Sequence, residues 1–486
     1  MHGYFGTVAL PRLLIQRGLA ILYLIAFAGA LRQFPALLGE RGLLPAPKFL
    51  EGQNFWGNPS LFHWRYSDRL LRAVAWTGIL LAALALAGIA ERGPVWVSVV
   101  IWLVLWFLYL SIVNIGQNFY AFGWESMLLE AGFFAAFLGP GWMRAPLIPI
   151  LILRWMLFRT ELGAGLIKLR HDPCWRDLTC LYYHYETQPL PNPCSRWFHR
   201  FPHRMQRQSV LFSHFVQIVV PFGLFAPQPV AAICGGLAIL HQLLLIVSGN
   251  YSWLNWLTVI LGFSAFSDLT LGFAAPASWP VPLAFLVVLL VLAAFTIAAS
   301  VGPVRNFFSE RQAMNRSYNP FHLVGSYGAF GSITRVRYEV VLEATLDAVL
   351  SSTTQWSEYE FRAKPGDPHR RPPQIAPWHL RLDWAMWFLP FSVRLGREGL
   401  LIPGHEIWFL RFVAKLLAAD APALRLLRQA PFGRQRPAFV RALYYRYRFT
   451  TPEEKRATGA WWARDFTGIY MPPLSLVRLQ QRDLWD

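Results

Sequence analysis

The sequence predicts a polytopic bundle of membrane-spanning α-helices, followed by a mixed α+β domain outside the membrane. Of its 486 residues 55% are hydrophobic and only 15% are charged, and the mean hydropathy is +0.34. A soluble domain would carry about a quarter charged residues. Apolar runs of about 18 or more residues, long enough to cross a bilayer, recur before residue 300. After Val301 these runs stop and shorter alternating segments follow.

The apolar runs predict about nine membrane segments, with a range of about seven to nine. The fourth and the eighth run are short or interrupted, so a tilted or re-entrant segment is the alternative at those two places. We therefore expect a membrane domain over residues 1–300, with ordered loops at 32–69 and 168–208. The runs lie near residues 13–31, 70–90, 95–113, 126–140, 147–167, 209–226, 229–248, 253–270 and 280–300.

The first run follows Arg12 and lacks a small-residue cleavage site, which predicts an uncleaved anchor. With an odd number of crossings, both ordered loops, the turn at Asn250 and everything after Val301 share one side of the membrane. An Asn-Tyr-Ser acceptor sequence at Asn250 fits a lumenal side. The seven Lys and Arg residues of loop 168–208 favour the cytoplasm instead. The residues alone therefore leave the side open.

The last third of the chain has the pattern of a mixed α+β domain. Residues 332–346 and 444–450 alternate between apolar and polar, which predicts strands of an antiparallel sheet. Residues 405–417 and 421–429 have the spacing of short amphipathic helices, and 364–377 is a proline-rich turn region. We expect a C-terminal domain over 301–486, which is long enough to bury its own core.

The net charge of +18 does not indicate nucleic-acid binding. Basic residues are scattered through loops and the tail, without a recognition motif or a Lys/Arg run. Attraction to anionic lipid headgroups is one interpretation, and solubility of the parts outside the membrane is the other. We predict a lipid bilayer as a partner and no nucleic acid.

The fifth apolar run contains charges, which are costly inside a membrane and by default mark a functional site. Arg154, Glu161 and Lys168 are spaced by seven residues and share one helical face. Gly163 and Gly165 permit close approach of another helix or a ligand. The alternative is a set of ion pairs between helices that fixes their register. The predicted polar pocket consists of Arg154, Arg159, Glu161 and Lys168, with Glu125, Glu130 and Asn118 as partners from the preceding segment.

No catalytic motif is present, so catalytic residues stay unknown at this stage. A histidine base beside Lys168, such as His171, would suit proton transfer, because imidazole titrates near neutral pH. A transporter is a weaker alternative, because the segments show no two-fold repeat. The histidines and cysteines of loop 168–208 lack metal-ligand spacing, so we predict no metal and no cofactor. A disulfide among these cysteines requires an oxidising compartment.

The string GAGLIKLRHDPCWRDLTCLYYHYETQPLPNP at 163–193 strongly resembles the lipase maturation factor family. The same family is matched by GQNFYAFGWESMLLEAGF at 116–133 and SGNYSWLNWLT at 248–258, and by YGAFGSITRVRYEVVLEAT and WWARDFTGIYMPP in the tail. A shorter stretch, AGLIKL at 164–169, is similar to the membrane domain of vitamin K-dependent gamma-carboxylases. In that family the lysine that matches Lys168 is the catalytic base. This second resemblance implies an alternative function, a carboxylase-like membrane enzyme that uses Lys168 as a base in an intramembrane pocket, with Glu161, Glu125 and His171 as the other candidate catalytic residues.

The first resemblance implies a multi-pass membrane protein that helps secreted lipases to fold and assemble, without being an enzyme. It implies the endoplasmic reticulum membrane in eukaryotic relatives, and the cytoplasmic membrane if the chain is bacterial, as its Ala- and Arg-rich composition indicates. Loop 168–208 and the C-terminal domain would face the lumen or periplasm, which suits a disulfide between Cys174 and Cys180. The expected client-binding residues are Trp175, Arg176, Asp177, Tyr182, Tyr183, His184, Tyr185, Glu186 and Trp197.

Overall fold

The computed structural model describes residues 2–396 and 399–480. Residues 2–308 form helices joined by loops, and a helix lies near each of the apolar runs. These helices are α1 (Ala9–Leu37), α2 (Asp68–Leu86), α3 (Val95–Asn114), α4 (Gly123–Ala135), α5 (Leu147–Arg170), α6 (His203–His214), α7 (Val230–Ser248), α8 (Leu254–Gly262), α9 (Leu283–Ala299) and α10 (Val301–Phe308). Short helices between them include Ala46–Glu51, Gln117–Tyr120, Pro173–Arg176, Leu181–Thr187 and Ser195–His199.

Among the described residues, five helices are long and apolar enough to cross a membrane. These are α1, α2, α3, α7 and the continuous stretch Leu283–Phe308 formed by α9 and α10. The helix α5 has the length, at 24 residues, but carries several charges. With 13 and nine residues, α4 and α8 are shorter than the roughly 20 that a straight crossing needs. Length and composition thus support five spans and do not confirm seven to nine.

Proline sets the start of several helices. A proline stands directly before the first residue of each of α3, α5, α6, α7 and α9. Proline restricts the residue before it to extended conformations, so the helix cannot extend further towards the N-terminus. The helix α2 is instead capped by Ser67, the residue before its start, whose hydroxyl accepts a hydrogen bond from the Leu70 amide at 3.1 Å. These local signals explain why the helix starts follow the sequence closely.

The C-terminal region contains an antiparallel sheet of four strands, as the alternating segments predict. In spatial order its strands are β2 (Ser357–Glu358), β1 (Arg337–Thr345), β5 (Phe439–Phe449) and β6 (Trp462–Leu474). The strands β3 (Arg394–Gly396) and β4 (Gly399–Leu401) pair in a separate hairpin. The final strand was not predicted, and it contains two prolines, which an edge position tolerates.

Two helices complete the core of this region, α11 (Arg381–Phe388) and α12 (Ile407–Leu417). The helix α12 matches the predicted helix at 405–417, and its Phe409, Phe412 and Leu416 are fully buried. The predicted helix at 421–429 is shorter in the structure, and α11 was not predicted. The remaining short helices are Ala421–Leu424, Pro452–Thr458 and Leu476–Gln480.

The C-terminal region packs against loops at one end of the helical region. Arg196 of loop 168–208 donates to the Thr450 carbonyl at 2.7 Å, and Arg411 donates to the Leu43 carbonyl at 3.2 Å. Asn250 donates to the Pro373 carbonyl at 2.9 Å. These contacts hold the two ordered loops, the turn at Asn250 and the C-terminal sheet together. Asn250 is 1% exposed, so the folded protein does not present its side chain for glycosylation.

A buried ion pair joins α4 to α11 across this junction. Arg381 Nη1 lies 2.7 Å from Glu125 Oε1, and both side chains are at most 1% exposed. The Tyr109 hydroxyl donates to the same carboxylate, and the Arg381 guanidinium lies 3.3 Å from the centre of the Tyr120 ring. Burial and the Arg381 charge lower the pKa of the neighbouring His379 to about 4, so that ring is neutral near pH 7.

We predict that Arg381→Met destabilises the protein by about 3–5 kcal/mol, because it leaves the Glu125 carboxylate buried without its cation. The thermal midpoint of the detergent-solubilised protein measures this loss of stability. The rate of proteolysis within residues 309–336, which connect α10 to β1, is the second measurement. The double variant Glu125→Leu/Arg381→Met is expected to be more stable than Arg381→Met alone. The control is Arg456→Ala, whose ion pair with Glu453 is exposed and screened by water, so that no measurable loss of stability is expected there. Equal losses of stability in Arg381→Met and in Arg456→Ala would contradict the role of the buried pair.

Candidate functional site

Two cavities adjoin the segment 328–330 within the described residues. The first, called the inner cavity, has a volume of about 410 Å³ and lies between α5, α6, α7 and α8 beneath loop 168–208. The second, called the aromatic cleft, has a volume of about 700 Å³ and lies between the start of α4 and the C-terminal region. Both volumes fall in the range of roughly 300–1,000 Å³ that is typical of ligand sites.

The inner cavity has one polar wall, to which α5, α6 with its continuation, α7 and α8 contribute. Lys168 Nζ donates to Gln217 Oε1 at 2.8 Å and lies 3.3 Å from Ser213 Oγ. Glu161 accepts from the amide groups of Gln217 at 3.2 Å and Gln242 at 2.7 Å. All five side chains are less than 10% exposed. Glu161 and Lys168 are therefore linked through Gln217 instead of forming a direct ion pair.

A local irregularity in α6 positions Gln217 for this link. The helix continues beyond His214 through a π-helical turn, Phe215–Val219, and then through Val220–Gly223. Such turns are rare and frequently lie at functional sites. The π-helical turn approaches α5 closely at Gly165, where an added Cβ would lie 2.8 Å from Ile218 Cγ1. Glycine at 165 thus allows α6 to bring Gln217 between Glu161 and Lys168.

The sequence analysis did not identify several residues of this wall. Ser213, Gln217, His241, Gln242 and Asn255 all contribute to it, and Asn255 donates to Gln242 at 2.6 Å. A signal was present, because His241 and Gln242 interrupt an otherwise apolar run. His171, which was expected to act beside Lys168, lines the aromatic cleft instead of the inner cavity.

The residues of the predicted polar pocket do not line a single cavity, because each buried charge binds a different partner. Arg154 donates to the carbonyls of Ser264 and Leu224 at the ends of other segments. Arg159 pairs with Glu130, whose carboxylate also accepts from the Gly325 amide at 2.9 Å and the Tyr327 hydroxyl at 2.7 Å. Glu125 binds Arg381, and Asn118 lines the aromatic cleft. Only Glu161 and Lys168 share the inner cavity.

Loop 168–208 is folded around a disulfide between Cys174 and Cys180. Trp175, His184 and Tyr185 are buried, so these three support the loop from within. Burial and the Lys168 charge lower the pKa of His184 to about 3, so it is neutral near pH 7. Tyr182, Tyr183 and Glu186 are half-buried, and the expected client-binding residues that remain exposed are Arg176, Asp177 and Trp197.

Asp172 fastens this loop to the start of the C-terminal region. Its carboxylate accepts from the Cys174 amide at 3.0 Å, the Ile333 amide at 3.0 Å and Arg335 Nη2 at 2.7 Å. Burial raises the pKa of Asp172, but the hydrogen bonds from Arg335 and the two amides outweigh it and lower the pKa to about 2. The carboxylate therefore stays ionised at all but very acidic pH.

The aromatic cleft joins the helical region, loop 168–208 and the C-terminal region. His171 and Pro189 of the loop stand beside Met314 and Phe330 at its wall. The side chains of Phe388 and Phe391 are 44% and 51% exposed. Exposed aromatic side chains around a concave surface are typical of a site that binds an apolar partner. The aromatic lining comprises Phe122, Trp124, Phe330, Trp384, Trp387, Phe388, Phe391 and Trp408.

Known proteins match nearly the whole chain by sequence. The model of the lipase maturation factor transmembrane domain matches residues 10–273, and the model of the lipase maturation factor C-terminal domain matches residues 323–472. Lipase maturation factor 1 of Bos taurus is 42% identical over 97% of this chain and 90% of its own length. The Homo sapiens protein of the same name is 41% identical over 99% and 90%. Lipase maturation factor 2 of Homo sapiens is 30% identical over 96% and 83%. No solved structure matches the chain.

We predict that Asp172→Asn lowers stability by up to about 1 kcal/mol near pH 7, because Arg335 is 42% exposed and water screens the lost pair. A carboxylate whose folded pKa is depressed stabilises above its unfolded pKa of 3.8, and this contribution is lost as the pH falls through about 2. The difference in thermal midpoint between wild type and variant should hold at pH 5–7 and shrink below about pH 4.

The matched control for this pH series is Asp177→Asn, because Asp177 is exposed on the same loop. Its difference from wild type is expected to stay small throughout. A gap between wild type and Asp172→Asn that is unchanged from pH 6 to pH 3 would show that the charge of Asp172 does not hold the loop.

Proposed function

The chain belongs to the lipase maturation factor family, and from this membership we propose that it assists the folding and assembly of a secreted client protein of the lipase type. In this proposal the protein acts by binding an incompletely folded client beside the membrane. The client is recognised through the apolar segments that it has not yet buried. Such segments bind best to large aromatic side chains in a concave site.

The aromatic cleft is the observation that carries this proposal. It lies where the region matched by the transmembrane model meets the region matched by the C-terminal model. Its rim residues Phe388 and Phe391 belong to the second region, whereas Phe122 and Trp124 come from the first. A site composed of both parts explains why a binding protein needs the helical region and the C-terminal region in one chain.

The exposed part of loop 168–208 extends this binding surface. Trp197 is 62% exposed, although it packs against Phe198 and Phe201. Arg176 and Asp177 are exposed charges on the same loop, and such charges at the rim of an interface favour correct orientation. We assign these three residues to secondary contacts with the client, and the buried residues of the loop to its support.

The proposed membrane arrangement has a domain over 1–300 with seven to nine segments and a domain over 301–486 outside the membrane. The helix α5 can lie in the bilayer because its charges bind partners inside the protein. The loop and the C-terminal domain face the lumen of the endoplasmic reticulum or, in a bacterium, the periplasm. The disulfide between Cys174 and Cys180 supports this side, because disulfides persist in oxidising compartments.

We predict that Phe388→Ser combined with Phe391→Ser lowers client maturation by about tenfold or more, because each removes an exposed aromatic contact of the cleft. The measurement is the activity of a co-expressed secreted lipase, together with its co-purification with the variant. The control is Phe466→Ser, since Phe466 is 59% exposed on β6 outside the cleft. Unchanged lipase maturation in the double variant, at normal abundance, would rule out the aromatic cleft as the client site.

A cysteine introduced on the C-terminal domain tests the proposed side of the membrane. Arg456→Cys places a thiol at a side chain that is 77% exposed, in a background with Cys194→Ser and Cys234→Ser. In intact bacterial spheroplasts, a membrane-impermeant maleimide is expected to label this cysteine without lysis. Labelling only after lysis would place the domain in the cytoplasm.

A further inference from the structure

The geometry of the inner cavity points to a second binding site, distinct from the client site. We propose that it binds a single-chain amphipathic lipid whose anionic head, a carboxylate or a phosphate, contacts Lys168. The acyl chain would extend between α6 and α7 towards the bilayer. This inference does not require the client, because it rests on the cavity alone.

Lys168 supplies the reason for an anionic head. An ammonium group has three donors, and Lys168 directs two of them to Gln217 and Ser213. Its Nζ lies 4.7 Å from the centre of the Trp175 ring. Among the described residues, no carboxylate lies within 4 Å of Nζ. Lys168 lines the cavity, and its third donor has no acceptor within hydrogen-bond distance in the described part of the chain. A buried cation in this position favours an opposite charge.

The other polar groups of the wall are compatible with this head. Both carboxylate oxygens of Glu161 accept hydrogen bonds from side-chain amides, one from Gln217 and one from Gln242. In contrast, Nδ1 of His241 is buried and has no hydrogen-bond partner among the described residues. His241 is 4% exposed and lines the cavity. A buried polar atom without a partner costs free energy, and the polar head of a ligand would satisfy it.

The apolar side of the cavity is open between two helices. Met205 on α6 and Leu244 on α7 line it and are 46% and 44% exposed, and the half-buried Phe212 of α6 lines it as well. The helix α7 has the length and composition of a membrane span, so this opening faces acyl chains. A lipid could enter laterally from the bilayer through this opening, with its head group directed towards Lys168. The volume, near the lower end of the usual range, favours one acyl chain over two.

The cavity also contacts the client site. Leu254, Asn315 and residues 328–330 line both the inner cavity and the aromatic cleft. A bound lipid would therefore touch the partition between them. Photo-labelling with a lipid probe does not depend on this contact, so failure of the lipid proposal and failure of the client proposal can be told apart.

The test is photo-labelling of the full chain in nanodiscs of neutral phosphatidylcholine. The probe is palmitate that carries a diazirine and an alkyne, and labelled peptides are mapped by mass spectrometry. We expect labels on α6 and α7, and about tenfold weaker labelling in Lys168→Gln, which loses a charge-assisted hydrogen bond. Leu244→Trp narrows the opening and should also reduce labelling. Leu243→Trp is its control, because Leu243 is 42% exposed on the same helix but does not line the cavity.

Competition experiments identify the head. Unlabelled palmitate, 1-palmitoyl lysophosphatidate or both are expected to displace the probe, and which of them does so tells a carboxylate from a phosphate. Methyl palmitate, which lacks the charge, should compete about tenfold less well. Equal competition by the ester would overturn the proposal, and so would labelling unaffected by both Lys168→Gln and Leu244→Trp. Because Leu244 lies at the surface, its variant keeps the test valid if Lys168→Gln does not fold.

Discussion

The ion pair between Glu125 and Arg381 links the two halves of this protein. One partner lies on α4 and the other on α11, and neither side chain reaches water. A buried charge whose partner is removed costs several kcal/mol. The C-terminal region is therefore held on the helical region instead of being tethered beside it. The aromatic cleft depends on this docking, because its walls come from both regions.

The same constraint organises the rest of the helical region. The charges of α5 are bound by backbone carbonyls, by Glu130 and by amide side chains, all within the protein. Two glycines make room for these contacts, since Gly163 faces the Tyr327 carbonyl and Gly165 faces the π-helical turn of α6. Where the polar partners fill the space, as around Arg159, a structural anchor results. Where they leave space, as around Lys168, there is a cavity.

Local patterns in the sequence predicted the helical segments, the antiparallel sheet and the charged face of α5, because each of these repeats over neighbouring residues. They did not reveal the partners of the charges. Arg381 lies more than two hundred residues from Glu125, and Gln217 has no periodicity that marks it as a link. The aromatic residues of loop 168–208 were expected at a surface, but spacing does not show which of them pack inwards. Trp175 does so, and Trp197 does not.

The proposed function requires that a client lipase binds in the aromatic cleft. Site-specific photo-crosslinking tests it most directly, with a photoreactive amino acid placed at Phe391 in one variant and at Phe466 in another. Both positions are exposed and aromatic, but only the first lines the cleft. In cells that secrete a lipase, we expect a crosslink to the newly made lipase from position 391 and none from position 466. A crosslink from position 466 alone, or equal crosslinks from both, would contradict the account.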